Sequence, residues 1–475
     1  MHRMHSWGAV LFGVLVGCTT PEMEMERGLR QAPDEVTLTQ REGWPGAVQV
    51  RRTGEAFSGN VLQLETDPEG RIWLIRGEKA NGASDKDAVT TLEVYGADGR
   101  RALSLAHEEG VLPWRFALHP SGEVTLFEFV KAADARTVRL RLRRLSPEGA
   151  VMRERLFEDE GRAEERIYYD LDQEQILSTS TGTDPRDVWP IPKYARLRAV
   201  VLGEEAVFMA MTHGVKLYRL DAELQTRWSA QVMPANYWNE LLNADQEQLA
   251  RDEQGNILVA WSMISSQARA YRLHFGRELP WSGGRHDIVV QRFGQDGQFQ
   301  LARTFGREGD EVELAGLAVH QGEVVLGAME NILKSDRPND TTEWDFVLMR
   351  GRMEDGVLSL HRTLDISRED WLNDFRVDAR GHCYFAGTTD FVQADTNSWI
   401  EPGKGLLLKT DENGERLGIL TLTGPRNVEV THLAFRPDGT IQFGGKSDGP
   451  LTHTPPGEWF NETVLGLASF PAHGG

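Results

Sequence analysis

Apolar and polar residues alternate in short runs along most of the chain, the period-two pattern of a strand with one buried face. The runs "DEQGNILVAW" (252–261), "HQGEVVLGAM" (320–329), "DARGHCYFAG" (378–387) and "RPDGTIQFGG" (436–445) share one order: a polar turn reaching glycine, then an alternating strand. Earlier copies start at "DPEG" (67–70) and "HPSG" (119–122), with a degenerate one at "LGEE" (202–205). Key positions 70, 122, 203, 255, 322, 381 and 439 are spaced by 52, 81, 52, 67, 59 and 58 residues. Most units hold a second turn of the same kind: "GADG" (96–99), "SPEG" (146–149), "DAEL" (221–224), "QDG" (295–297), "EDG" (354–356) and "DENG" (411–414). Glycine at such a place supplies the positive φ of a tight hairpin turn. Long helical periodicity is absent.

Each unit therefore predicts strand–turn–strand, a longer loop, then strand–turn–strand. Four-stranded units at this period predict an all-β fold, a single β-propeller of seven four-stranded blades. In the wording of its repeats, and of the following strands "DIVVQRF" and "DFVLMRG", the chain resembles bacterial delta-60 and related seven-bladed propeller repeats over roughly residues 60–470. That resemblance implies a fold and no common chemistry. The seventh unit lacks a fourth strand, and an open sheet edge is avoided in folded proteins. "AVQVRRTG" (47–54) is the expected closing strand, completing the last blade from the N-terminal side.

The N-terminus breaks the pattern. "MHRMHSWGAVLFGVLVGC" has a polar start with Arg3 and an apolar run over Trp7–Val16, which is too short to span a bilayer but suits a signal peptide. Leu15-Val16-Gly17-Cys18 resembles the lipobox of bacterial lipoproteins, which implies a lipid on Cys18 and a membrane partner through it. Thr19 in place of aspartate implies, by that analogy, the outer membrane of the cell envelope, on its periplasmic or surface-exposed side. The expected organisation is a signal peptide over 1–17, a tether over 18–45 and a propeller domain over 46–475 with an insertion at 159–194. With Cys18 acylated, Cys383 is the one remaining thiol, so no internal disulfide is expected.

Charge narrows the partners. Hydrophobic residues make up 40%, charged residues 26%, and the net charge is −20. A folded domain is expected, and nucleic acid is excluded as a partner because phosphate binding needs clustered Lys and Arg.

Function is expected where long loops cluster on a rigid scaffold. In this topology that is the end bearing the connections between second and third strands. A tryptophan precedes the third strand in four units: Trp281, Trp344, Trp399 and Trp459. Arg285 and His286 follow the first of these, and Tyr237 and Trp238 stand in a further long loop. Such residues suit stacking on sugar rings or anchoring a protein partner; the alternative is that each tryptophan pins its own loop.

No phosphate loop, zinc-protease motif or nucleophile elbow occurs, and the Asp-rich turns lack the spaced ligand series of a calcium loop. No catalytic residue, metal or cofactor is assigned. His382 and Cys383 occupy neighbouring strand positions, so alternation sends them to opposite faces. The expected function is a lipid-anchored envelope binding or scaffolding module for a protein or glycan partner. The alternative is a glycosidase or lyase acting on envelope polysaccharide at the same end, and a quinone-dependent dehydrogenase ranks third because its Trp-docking motif is missing.

Overall fold

The computed structural model describes residues 37–42 and 48–52 and most of 59–468; its longest gaps in that span are 79–88, 182–196, 234–246, 332–343 and 450–459. Two strands precede the repeats, β1 (Thr37–Glu42) and β2 (Val48–Arg52). The first sheet is β3 (Gly59–Thr66), β4 (Ile72–Glu78), β5 (Val89–Tyr95) and β6 (Arg101–Ser104). The second is β7 (Val111–Leu118), β8 (Val124–Lys131), β9 (Val138–Leu145) and β10 (Val151–Phe157). A separate hairpin follows, β11 (Glu165–Asp170) with β12 (Gln175–Thr181), inside the expected insertion.

The third sheet is β13 (Arg198–Leu202), β14 (Glu205–Met211), β15 (Val215–Leu220) and β16 (Thr226–Met233). Next come β17 (Gln248–Arg251), β18 (Ile257–Ile264), β19 (His286–Phe293) and β20 (Phe299–Phe305). The fifth comprises β21 (Glu311–His320), β22 (Glu323–Asn331), β23 (Trp344–Gly351) and β24 (Leu358–Leu364). In the sixth, β25 (Trp371–Val377) and β26 (Cys383–Thr389) are followed by a small hairpin, β27 (Val392–Asp395) with β28 (Ser398–Glu401). The sheet resumes with β29 (Lys404–Thr410) and β30 (Arg416–Thr423). The last repeat gives β31 (Val428–Phe435), β32 (Ile441–Gly449) and β33 (Phe460–Ala468).

Within each repeat the strands form an antiparallel meander whose first strand is the innermost. These first strands touch in cyclic order, β3, β7, β13, β17, β21, β25, β31 and back to β3. Between consecutive sheets lies a separate apolar layer. Trp73, Ile75, Phe116 and Leu126 fill the space between the first two sheets. Phe127, Phe129, Phe208 and Tyr218 fill the next, and Val61, Leu64, Ile72 and Ala434 join the last repeat to the first. Radial sheets packed face to face around a common axis make a β-propeller.

The chain's N-terminal segment runs along two sheets. β2 pairs antiparallel with β33, from Val48 opposite Ala468 to Arg52 opposite Val464. β1 pairs antiparallel with β30, making that sheet five-stranded. The tether expected over 18–45 thus contains a strand; "TLTQRE" alternates too weakly in hydrophobicity to announce one, and its pairing covers an outer edge. Helical residues occur among those described only near 268–275, and no described helix is long and apolar enough to cross a membrane.

Two local devices recur. In the first, the leading residue of the turn between first and second strands ties down the strand that follows. Asp378 Oδ1 accepts the Arg380 and His382 amides, at 2.8 and 3.0 Å, while Oδ2 meets His382 Nδ1 at 3.1 Å and the Tyr384 hydroxyl at 3.0 Å. Asp67 repeats this with the Glu69 and Arg71 amides and with Trp73 Nε1. His119 reaches Thr125 Oγ1 at 2.8 Å, the same sixth residue on. The run "DARGHCYFAG" is therefore a turn lock. Cys383 is fully buried, and burial pushes its thiol up to about 12, so it packs as a small hydrophobe.

In the second device, the register slips by one residue in β3, β7, β21, β25 and β31, between Val61 and Gln63, Pro113 and Arg115, Leu314 and Gly316, Leu372 and Asp374, and Val430 and His432. Such a bulge bends the strand and re-aims the residue after it. The bent backbone presses on its neighbour: a Cβ on Gly387 would stand 1.9 Å from the Trp371 carbonyl oxygen, and one on Gly445 2.0 Å from that of Glu429. Only glycine fits there.

Candidate functional site: the inner wall and the loop-bearing end

Residues that these bulges re-aim, together with Gln248 of the unbulged β17, form the inner wall of the ring. Seven positions before the turn glycine stand Gln63, Arg115, Gln248, Asp374 and His432. Four of them bond the backbone of the next innermost strand. Gln63 takes both the amide and the carbonyl of Phe116, at 2.8 and 2.7 Å. Gln248 Nε2 donates to the Ala315 carbonyl at 2.9 Å, and Asp374 Oδ2 accepts the Leu433 amide at 2.7 Å. His432 Nε2 lies 3.1 Å from the Leu62 carbonyl oxygen. Arg115 instead turns back onto Trp114, donating to its carbonyl with the guanidinium 5.4 Å from its ring centroid.

One ion pair crosses this wall. Arg376 on β25 reaches Glu65 on β3 at 3.1 Å and Asp374 at 3.4 Å. Solvent still reaches 36% of the Arg376 side chain and 31% of that of Glu65. Protein nevertheless encircles both, and this burial raises the Glu65 carboxyl above its ordinary range, with Arg376 opposing. Asp374 and Glu65 hold the Arg376 guanidinium firmly charged. Burial pushes the His432 imidazole down to about 4, so it is neutral at pH 7. Glu65 and Asp374 both bind this one guanidinium. The arrangement holds sheets together.

Below this wall, at the turn end, equivalent triplets from three consecutive units line a cleft of about 300 Å³: Thr66-Asp67-Pro68, Leu118-His119-Pro120 and Phe435-Arg436-Pro437. Asp67 and His119 spend their polar atoms on their own turns and on Arg144 and Gly203.

At the opposite end, His286 opens β19, and its Nδ1 lies 3.4 Å from Glu311 Oε1 at the start of β21, bridging two sheets. Trp281 is half-buried against the layer containing Tyr271 and Leu279. Trp344 is the first residue of β23, half-buried against the layer of Phe346 and Phe385, with its ring centroid 6.4 Å from that of Trp371. Each thus pins its own segment and keeps part of its surface open. Trp399 lies on β28, of which only the backbone is described. Cys18, Tyr237, Trp238, Arg285 and Trp459 lie outside the described residues.

The inner-wall set went unread in the sequence. Its signal was a polar residue recurring at one place in an otherwise apolar innermost strand. Among the described residues no group of three or more His, Cys, Asp or Glu side chains is placed to hold a metal ion.

No family model matches the chain, and no curated protein matches it. Among solved structures it is similar to the β-propeller domain of the Trilobed protease from Pyrococcus furiosus, which has an open velcro topology. That likeness has 9% identity and a TM-score of 0.42, covering 86% of this chain and 94% of that one. A Bacteroides caccae protein of unknown function matches at 9% identity and a TM-score of 0.36, covering 74% and 93%. A Pyrococcus horikoshii acylaminoacyl peptidase matches at 11% and 0.38, covering 83% of this chain and 49% of its own.

Proposed function

We propose that the chain is a lipid-anchored, seven-bladed propeller of the cell envelope, closed by β2, that binds a protein or glycan partner at its loop-bearing end. Cys18 carries the anchor, and the outer membrane is its location. One observation carries the binding role: the two ends of the ring are built differently. First-to-second strand connections are short, from 203–204 to 67–71, while second-to-third connections include 79–88, 265–285, 332–343, 390–403 and 450–459. The long 158–197 and 234–247 connections lead into first strands and so fall at the same end. A rigid ring that gathers its long connections at one end is a display scaffold.

The test is cross-linking of the acylated protein in native envelopes, repeated with Trp281→Ala, Trp344→Ala, Trp399→Ala and Trp459→Ala. The wild type should capture one reproducible partner, and at least one variant of unchanged melting temperature should lose it. Retention by all four sinks the role of this end. Turnover of an envelope polysaccharide would favour the glycosidase or lyase reading instead.

A further inference from the structure

The route of the N-terminal segment fixes where the chain joins the ring. First strands run from the loop-bearing end to the turn end, so fourth strands run back and finish at the loop-bearing end. β30 is such a fourth strand, and Thr37 at the start of β1 pairs with Thr423 at its finish. β1 then runs toward the turn end, where Glu42 stands opposite Ile419. β2 begins there, with Val48 opposite Ala468, and climbs beside β33 toward the loop-bearing end. Thr37 therefore meets the ring at the end that carries the long connections.

We propose that this end is turned toward the bilayer, so that the partner it takes is one seated in or on the same membrane. The inference rests on the acylation of Cys18 proposed above. Residues 19–36 make eighteen residues between lipid and ring. An eighteen-residue chain reaches at most about 60 Å when fully extended. Along the chain the joined end comes first from the lipid, and the turn end lies a further strand length away. The prolines and short turns of the opposite end then face outward.

The experiment uses the full acylated chain in phosphatidylcholine–phosphatidylglycerol vesicles containing a spin-labelled lipid as quencher. A fluorophore is placed on Asp365→Cys, exposed in the connection between β24 and β25, or on Asn413→Cys, exposed in the turn between β29 and β30. Cys383 is fully buried and is changed to valine in both. Labelled palmitate is followed in the same preparations. Incorporated palmitate with several-fold stronger quenching at position 365 supports the proposal. Incorporated palmitate with equal quenching, or stronger quenching at 413, overturns the orientation and leaves the anchor standing. Absence of palmitate overturns both.

Discussion

His432 Nε2 lies 3.1 Å from the carbonyl oxygen of Leu62, so the last repeat is bonded through a side chain to the innermost strand of the first. The bond needs a proton on Nε2, which donates to that carbonyl, while Nδ1 faces the Thr431 hydroxyl at 3.0 Å. Burial, seconded by Arg115 and Arg376 against Asp374, lowers the imidazole from its ordinary 6.5 to about 4. The unfolded chain then binds this proton first, so stability is full above 6.5 and falls as pH drops toward 4. Glu65, raised by burial, works in the opposite sense, so the difference between proteins is the readout. Thermal melts from pH 7 to pH 4 should show a steeper loss in wild type than in His432→Gln. Parallel curves would contradict the assignment.

Asp378 accepts two backbone amides and the Tyr384 hydroxyl. Asp378→Ala leaves those donors unpaired, one of them on a buried tyrosine, and should cost about 2 kcal/mol. Urea midpoints measure it. Cys383→Val, five positions on in a fully buried site, should change the midpoint little.

Gly387→Ala sets a methyl group 1.9 Å from a main-chain oxygen of Trp371, which no rotamer change relieves. A loss of about 3 kcal/mol or more is expected, at the upper end of overpacking costs. Gly70→Ala makes a useful contrast: its Cβ would meet open space, and its φ of +77° leaves only backbone strain of about 1–2 kcal/mol.

Leu224 stands where sibling turns carry glycine, at a φ of 61°. It is 1% exposed and packs with Phe157, Phe208 and Tyr218. Relief of the left-handed backbone in Leu224→Gly is worth about 1–2 kcal/mol. Loss of a buried leucine costs about 2–5 kcal/mol. Packing wins, so the variant with the consensus turn residue should be the less stable one, as a lowered melting temperature.

Deleting residues 46–56 removes β2 and bares the edge of β33. The melting temperature should drop strongly; an unchanged melt would show that β2 carries no closing role.

The repeat was legible because its turns carry their own chemistry: glycine at positive φ after aspartate, then an alternating strand. Even the degenerate "LGEE" was readable, and it folds as a hairpin with Leu202 opposite Glu205. β2 was legible through "VQV" and the missing fourth strand, whereas β1 was hidden by its polar outer-edge sequence. The wall residues Gln63, Asp374 and His432 were visible as letters, yet their roles were not, because a bulge decides where they aim. Trp281 and Trp344 show the same limit: spacing placed them before a third strand, but only packing reveals that each half-covers an apolar layer.

β2 and β33 pair residues separated by more than four hundred positions, and so the last sheet draws on both ends of the chain. This pairing cannot exist before β33 has been made, and so long a loop closes slowly. The earlier sheets can form from neighbouring strands as they appear, while the assembled circle comes late. Until β33 exists β2 has no partner strand, and the finished fold is postponed to that point.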